Sequence, residues 1–222
     1  MSVLIDWMVE AKTEQGLLLV AMPGIGDVGK LAIDAVNTEL DAEPIARLIH
    51  PALPPLAKLD DNGLLTPPHI LLSRIDIDGK EVFTLTGDAQ PMTPVGQHEM
   101  AACILDLFKG GEVLVLAGYS SAPERKEVFT ICSSASHRIE LEGRGVDVRR
   151  DEPKSGVIGM AALITAMGPV KDVASSCTIA TTVGTGSMST RILDPSKVPD
   201  ANVYRVFFRD TRMNGIDDDG DW

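Results

Sequence analysis

The sequence is short of basic side chains, of cysteine and of long apolar runs, and each shortage closes off a class of function. Lys and Arg number 20 against 32 Asp plus Glu, a formal net charge of -12. Such a surface repels a phosphate backbone and an anionic bilayer alike, so neither nucleic acid nor membrane is an expected partner. The excess acid fits a salty cytoplasm and plain solubility equally. The three cysteines, Cys103, Cys132 and Cys177, are odd in number, far apart and set among apolar residues. That describes small buried hydrophobes rather than a disulfide framework, and it implies a reducing compartment. No apolar run approaches the ~18–20 residues needed to cross a bilayer. The opening Met1-Ser2-Val3-Leu4-Ile5-Asp6 meets an acid too early for a signal peptide. A soluble, cytoplasmic protein is the expectation.

What remains is ordinary globular composition, 44% apolar and 23% charged over 222 residues, which suits one large domain. We expect a single α/β domain over residues 1–216 and an acidic, flexible tail over 217–222. Leu17 to Met22 is an apolar run typical of a strand buried on both faces. Pro23 and three glycines turn the chain, and Val28, Leu31, Ala32, Ala35 and Val36 recur at helical spacing up to Leu40. Pro44 to Ile49 reads as the second strand of a parallel strand–helix–strand unit. His50 to Pro68 holds five prolines and is expected to be an extended loop over one end of the sheet. Ile70–Ile75 and Glu81–Leu85, joined through Asp78-Gly79, predict an inserted antiparallel hairpin. A helix over Val95–Phe108 and strands at Glu112–Ala117 and Val128–Ser133 follow. Next come a polar segment with His137 and Arg138, Gly145 to Val148, a helix over Gly156–Met167 and a strand at Ser176–Val183.

The turn Gly24-Ile25-Gly26-Asp27-Val28-Gly29 matches the dinucleotide fingerprint G-x-G-x-x-G and lies between a strand and a helix, as that fingerprint requires. The acid that should end the next strand and hold the ribose is absent, since that strand ends Leu48-Ile49-His50. Asp27 also brings a carboxylate to the helix start, where a pyrophosphate would otherwise be welcome. Lys30 completes the look of a P-loop, but Leu31 stands where Ser or Thr must hold magnesium. The glycines then serve a tight turn and close helix packing. Gly118-Tyr119-Ser120-Ser121-Ala122 resembles a nucleophile elbow, yet Pro123 and the strand from Val128 leave no room for the helix an elbow enters. The histidines His50, His69, His98 and His137 lack metal-site spacing, and the acidic tail stops before the glutamate a calcium loop needs. No catalytic residue, cofactor or metal is expected.

Taken in order, these segments resemble the proteasome-assembly-chaperone family of archaea, with divergent relatives in actinobacteria and eukaryotes. The resemblance rests on Leu18 to Gly29 with its Pro-Gly-Ile-Gly turn, on Ala42-Glu43-Pro44-Ile45-Ala46 and on Leu53-Pro54-Pro55. Leu85-Thr86-Gly87-Asp88-Ala89-Gln90-Pro91 and Gly156-Val157-Ile158-Gly159 complete it, so that it runs from about Gly16 to about Met167. It implies a three-layer α/β/α sandwich with a mixed, mainly parallel sheet, resembling the purine nucleoside phosphorylase-like fold. It also implies a homo-oligomer that binds proteasome α subunits or other protein clients. Some relatives dock through a C-terminal hydrophobic–Tyr–any motif. Here Gly220-Asp221-Trp222 carries aspartate in the tyrosine position, and Thr181–Pro199, with Gly184-Thr185-Gly186-Ser187-Met188-Ser189, is atypical of the family. The candidate ligand or partner loop is Gly24, Gly26, Asp27, Gly29, Asp88 and Gln90, and the candidate partner-binding tail is Ile216 and Trp222. A hydrophobic patch on the proline-rich loop is the main expected contact. The rival reading, from the fold implied, is a nucleoside- or other small-molecule-binding enzyme or sensor with Asp88 as its acid or base.

Overall fold

The computed structural model describes residues 3–60 and 62–183, so Ile216, Trp222 and the acidic tail lie outside the described residues. Leu17–Ala21 (β2) is a strand with both faces covered, as its unbroken apolar run requires. Leu18 and Val20 face one way, towards Met100 and Ile104 of Pro94–Leu107 (α2) and Met160 and Ile164 of Gly159–Met167 (α4). Leu19 and Ala21 face the other way, towards Ala32 and Ile33 of Val28–Glu39 (α1). Glu112–Ser120 (β8) repeats this alternation, so helices flank the sheet on both faces. The ring of Phe83 meets that of Phe108 edge-on, with centroids 5.3 Å apart.

Eight strands form the sheet in the order β1-β3-β6-β7-β2-β8-β10-β9, where β1 is Leu4–Trp7, β3 Glu43–Ile49, β6 Ile70–Ile77, β7 Lys80–Gly87, β9 Val128–Cys132 and β10 Ala174–Thr182. The pairings β7–β2, β2–β8 and β8–β10 are parallel, and the outer ones are antiparallel. The sheet is therefore mixed, with a parallel centre. β6 and β7 join through Asp78 and Gly79, both at positive φ (54° and 77°), the geometry of a tight two-residue turn. The Asp76 carboxylate accepts the Gly79 N–H at 2.8 Å.

Several expectations need correction. Pro44–Ile49, expected as the second strand of a parallel strand–helix–strand unit, belongs to Glu43–Ile49, which runs in the same direction as β2 but pairs antiparallel with its own neighbours β6 and β1. Strands β6 and β7 fill the space between it and β2. Leu4–Trp7, expected only as a lead-in, is an edge strand. The proline-rich segment is not wholly loop, because Lys58–Leu59 (β4) and Leu65–Thr66 (β5) pair as a small second sheet. The polar segment with His137 is a helix, Ala135–Gly143 (α3), capped by Ser134, whose hydroxyl accepts the His137 N–H at 3.2 Å. Its buried face consists of His137 and Leu141, and with a histidine in one of two apolar positions the helical period is masked. The thiol of Cys177 is buried in the core, and burial pushes it up to about 12.

Candidate functional site

A cavity of about 630 Å³ opens at the C-terminal ends of β2 and β8. The chain leaving β2 turns into α1 on one face of the sheet, and α4 closes the cavity from the other. Such divergence beyond parallel strand ends makes the crevice in which α/β folds bind ligands. Its floor is Val20, Val115, Ile164 and Ile179, none more than 2% exposed. At its mouth stand Ile25 and Ile158, 40% and 82% exposed.

The glycine turn forms one wall. Gly26 sits at φ 65° and Asp27 at φ 50°, and a single 3-10 turn over Ile25–Asp27 delivers the chain to α1. A methyl group on Gly29 would overlap the Leu116 carbonyl oxygen, and one on Gly118 would overlap that of Ile25. Both glycines therefore let the turn and α1 lie against the backbone of β8. The Asp27 carboxylate accepts the Gly24 N–H at 3.0 Å, and the Lys30 ammonium is taken by Asp34 on its own helix. Neither group is left to hold a phosphate. The dinucleotide reading fails on topology too, since β3 lies three strands from β2 and cannot offer a ribose contact beside this turn.

The opposite wall is Ser155 to Gly159 with the start of α4. Gln90 ties the walls together: its amide N–H donates to the Pro23 carbonyl at 2.7 Å, and its amide oxygen accepts the Met160 N–H at 3.1 Å. Gly24, Asp27, Gly29 and Gln90 line the cavity, with Gly26 in the turn between them. Asp88 is elsewhere. It pairs with Lys58 at 2.6 Å beside a separate hollow of about 80 Å³ lined by Leu53, Pro54, Pro67 and His69. The Lys58 hydrogen bond holds its carboxyl below the usual carboxylate range. The structure thus divides the predicted cluster, and Asp88 faces no group in the large cavity. Among the described residues no Lys, Arg or His lines that cavity.

His50, standing where the ribose acid was missing, is buried. Its Nδ1 accepts the Ala52 N–H at 3.0 Å, so its Nε2 donates to Glu99 at 2.6 Å. Ser120 is an exposed strand residue and enters no helix. Among the described residues no group of three or more His, Cys, Asp or Glu is arranged to hold a metal, and no helix is long and apolar enough to cross a membrane.

The second candidate surface is the β4–β5 flap. Leu56, Leu59, Leu64 and Leu65 are 62–71% exposed. Met92 and Val95 at the start of α2 are exposed as well, and the Met92 N–H donates to the Ala52 carbonyl at 2.7 Å, joining that helix start to the base of the same segment. Sequence reasoning named the segment but missed the paired strands that display the leucines, because two-residue strands carry no periodicity.

The model of the PAC2 family matches residues 18–202. A 174-residue stretch is 24% identical to the uncharacterised protein MJ1210 of Methanocaldococcus jannaschii, covering 77% of this chain and 67% of that protein. Among solved structures, PbaB of Pyrococcus furiosus, an archaeal proteasome activator, superposes with a TM-score of 0.72 at 21% identity over 99% of this chain and 94% of its own. PbaA of the same organism, an archaeal homologue of proteasome-assembly chaperone, gives 0.67 at 22% identity over 96% and 87%.

Proposed function

The chain belongs to the PAC2 family, and on that premise we propose that it is a non-catalytic, chaperone-like cytoplasmic protein. It assembles with its own copies and binds proteasome α subunits or related protein clients. The observation that carries this reading is the flap: four exposed leucines outside the core clusters, Leu59 and Leu65 on the small sheet and Leu56 and Leu64 next to its strands in the chain. Apolar side chains gathered on one exposed element mark a protein contact surface more than a solvated one. The failed dinucleotide, P-loop and elbow motifs also favour binding over catalysis. Native mass spectrometry of the protein with its host's proteasome α subunit tests the proposal. A mixed complex is expected with the wild type. Leu59→Asp and Leu65→Asp each weaken it by at least about thirtyfold, the loss typical of an interface anchor. Absence of any mixed complex with the wild type rejects the proposal.

A second reading is favoured by the large cavity alone. We take the fold to be of the purine nucleoside phosphorylase-like kind, with β6 and β7 as an inserted hairpin. On that view the cavity accepts a neutral nucleoside or similar small molecule. Its apolar floor, and a lining that among the described residues has Asp27 as its only carboxylate and holds no cation, favour an uncharged occupant over a nucleotide. Titration with adenosine and inosine checks it. Saturable binding that Ala161→Phe abolishes supports the reading, and no binding by either nucleoside removes it.

A further inference from the structure

In a chain with a formal charge of -12, three arginines converge on one cleft. It measures about 320 Å³ and lies beside the edge strand β9, lined by Arg138 of α3, Arg149, Arg150, Glu152 and Cys132. Gly156 and Val157 form its far side and also line the large cavity, so the two hollows share a wall.

The carboxylates nearby do not saturate these cations. Glu142 accepts a hydrogen bond from Arg150 at 2.8 Å and stands 4.0 Å from the Arg138 Nε, too far for a second one. That Nε is buried and has no hydrogen-bond partner among the described residues. Arg149 donates its Nε to Asp147 at 2.9 Å and lies over the Phe129 ring at 5.4 Å. Its remaining nitrogens stay 3.6 Å from Glu127 and 3.8 Å from Glu152. Glu152, the one carboxylate among the described residues lining the cleft, is hydrogen-bonded by Arg125 from outside it. Three permanent positive charges therefore line the cleft, Arg149 and Arg150 each hydrogen-bonded to one carboxylate and Arg138 standing 4.0 Å from Glu142. A buried guanidinium nitrogen without an acceptor is costly, and it leaves Arg138 without the hydrogen bonds to carboxylates that hold Arg149 and Arg150.

We propose that this cleft binds the phosphate group of a small phosphorylated molecule. A tetrahedral oxyanion offers enough acceptor oxygens for three guanidinium forks, which a planar carboxylate does not. Arginine is suited to the task because it stays charged and presents its donors in a fixed fork. The site is independent of the flap and of the large cavity's occupant.

Inorganic phosphate is the first probe, compared with sodium chloride at equal ionic strength. The expected result is a higher Tm in phosphate and a phosphate-dependent shift of the Arg138 Nε–Hε resonance in the wild-type protein. Arg138→Gln and Arg150→Gln each weaken binding by about tenfold or more, as the loss of a charge-assisted hydrogen bond should. Arg47→Gln, whose partner is Asp6 on β1, leaves binding unchanged. Ala161→Phe also leaves it unchanged, which separates this site from the large cavity. Equal Tm in phosphate and chloride with an unmoved Arg138 resonance would overturn the proposal. So would phosphate binding that both cleft variants retain.

Discussion

The glycine-turn cavity and the leucine flap sit at opposite extremes of constraint. Around the cavity, backbone touches backbone: Gly29 and Gly118 admit no side chain, and Gln90 clips the two walls. The flap consists of two two-residue strands, with an exposed Lys58–Asp88 pair between it and the end of β7. So small a sheet has little stability of its own. A motif known for chemistry therefore does structural work here, while the proline-rich stretch carries the exposed apolar surface. Resemblance of a turn to a catalytic loop says less about function than the contacts its residues make.

Mutations sharpen that contrast. Gly29→Ala should produce the largest effect, about 3 kcal/mol of destabilisation from overpacking against the Leu116 carbonyl, read as a lower denaturant midpoint. A wild-type midpoint would mean that α1 is free to move off the sheet. Gln90→Leu comes next, at about 2 kcal/mol, because the Pro23 carbonyl and the Met160 N–H both lose their partner. Hydrogen exchange at the Met160 amide should accelerate, and unchanged protection would show that the walls need no clip.

Effects on the flap should be small. Asp88 is an acid whose folded pKa is depressed, so its pairing contributes stability above the ordinary carboxylate pKa and loses it as pH falls through the lower folded value. The pair is more than half exposed, and Asp88→Asn should cost no more than about 0.5 kcal/mol at pH 7, converging with wild type in acid. A larger or pH-independent loss in thermal melts would assign Asp88 a role beyond this ion pair. Leu59→Asp should change folding stability least, by less than about 0.5 kcal/mol, while it removes partner binding. Unfolding of that variant would make the flap part of the core and end the contrast.

Much of this was legible in the residues. Leu17–Ala21 and Glu112–Ser120 announce buried strands by unbroken apolar runs, and Asp78-Gly79 announces its turn. The missing ribose acid, Asp27 and Leu31 were each visible in the residues as departures from a nucleotide loop. What stayed hidden depends on distant pairing. The place of Glu43–Ile49 in the sheet, the helix at His137 and the separation of Asp88 from Gln90 carry no local signature. Arg138, Arg149 and Arg150 share no sequence motif, and only the packing of α3 beside β9 brings them to one cleft.

The sequence by itself determined the α/β class, the positions of the central strands and the family resemblance, because apolar periodicity and turn chemistry act over a few residues. Tertiary structure alone decided the strand order, the two walls that Gln90 joins, the display of the flap leucines and the arginine cleft. Each of these arises where segments far apart in the chain meet, and the free energy of such meetings is not written in any one of the segments.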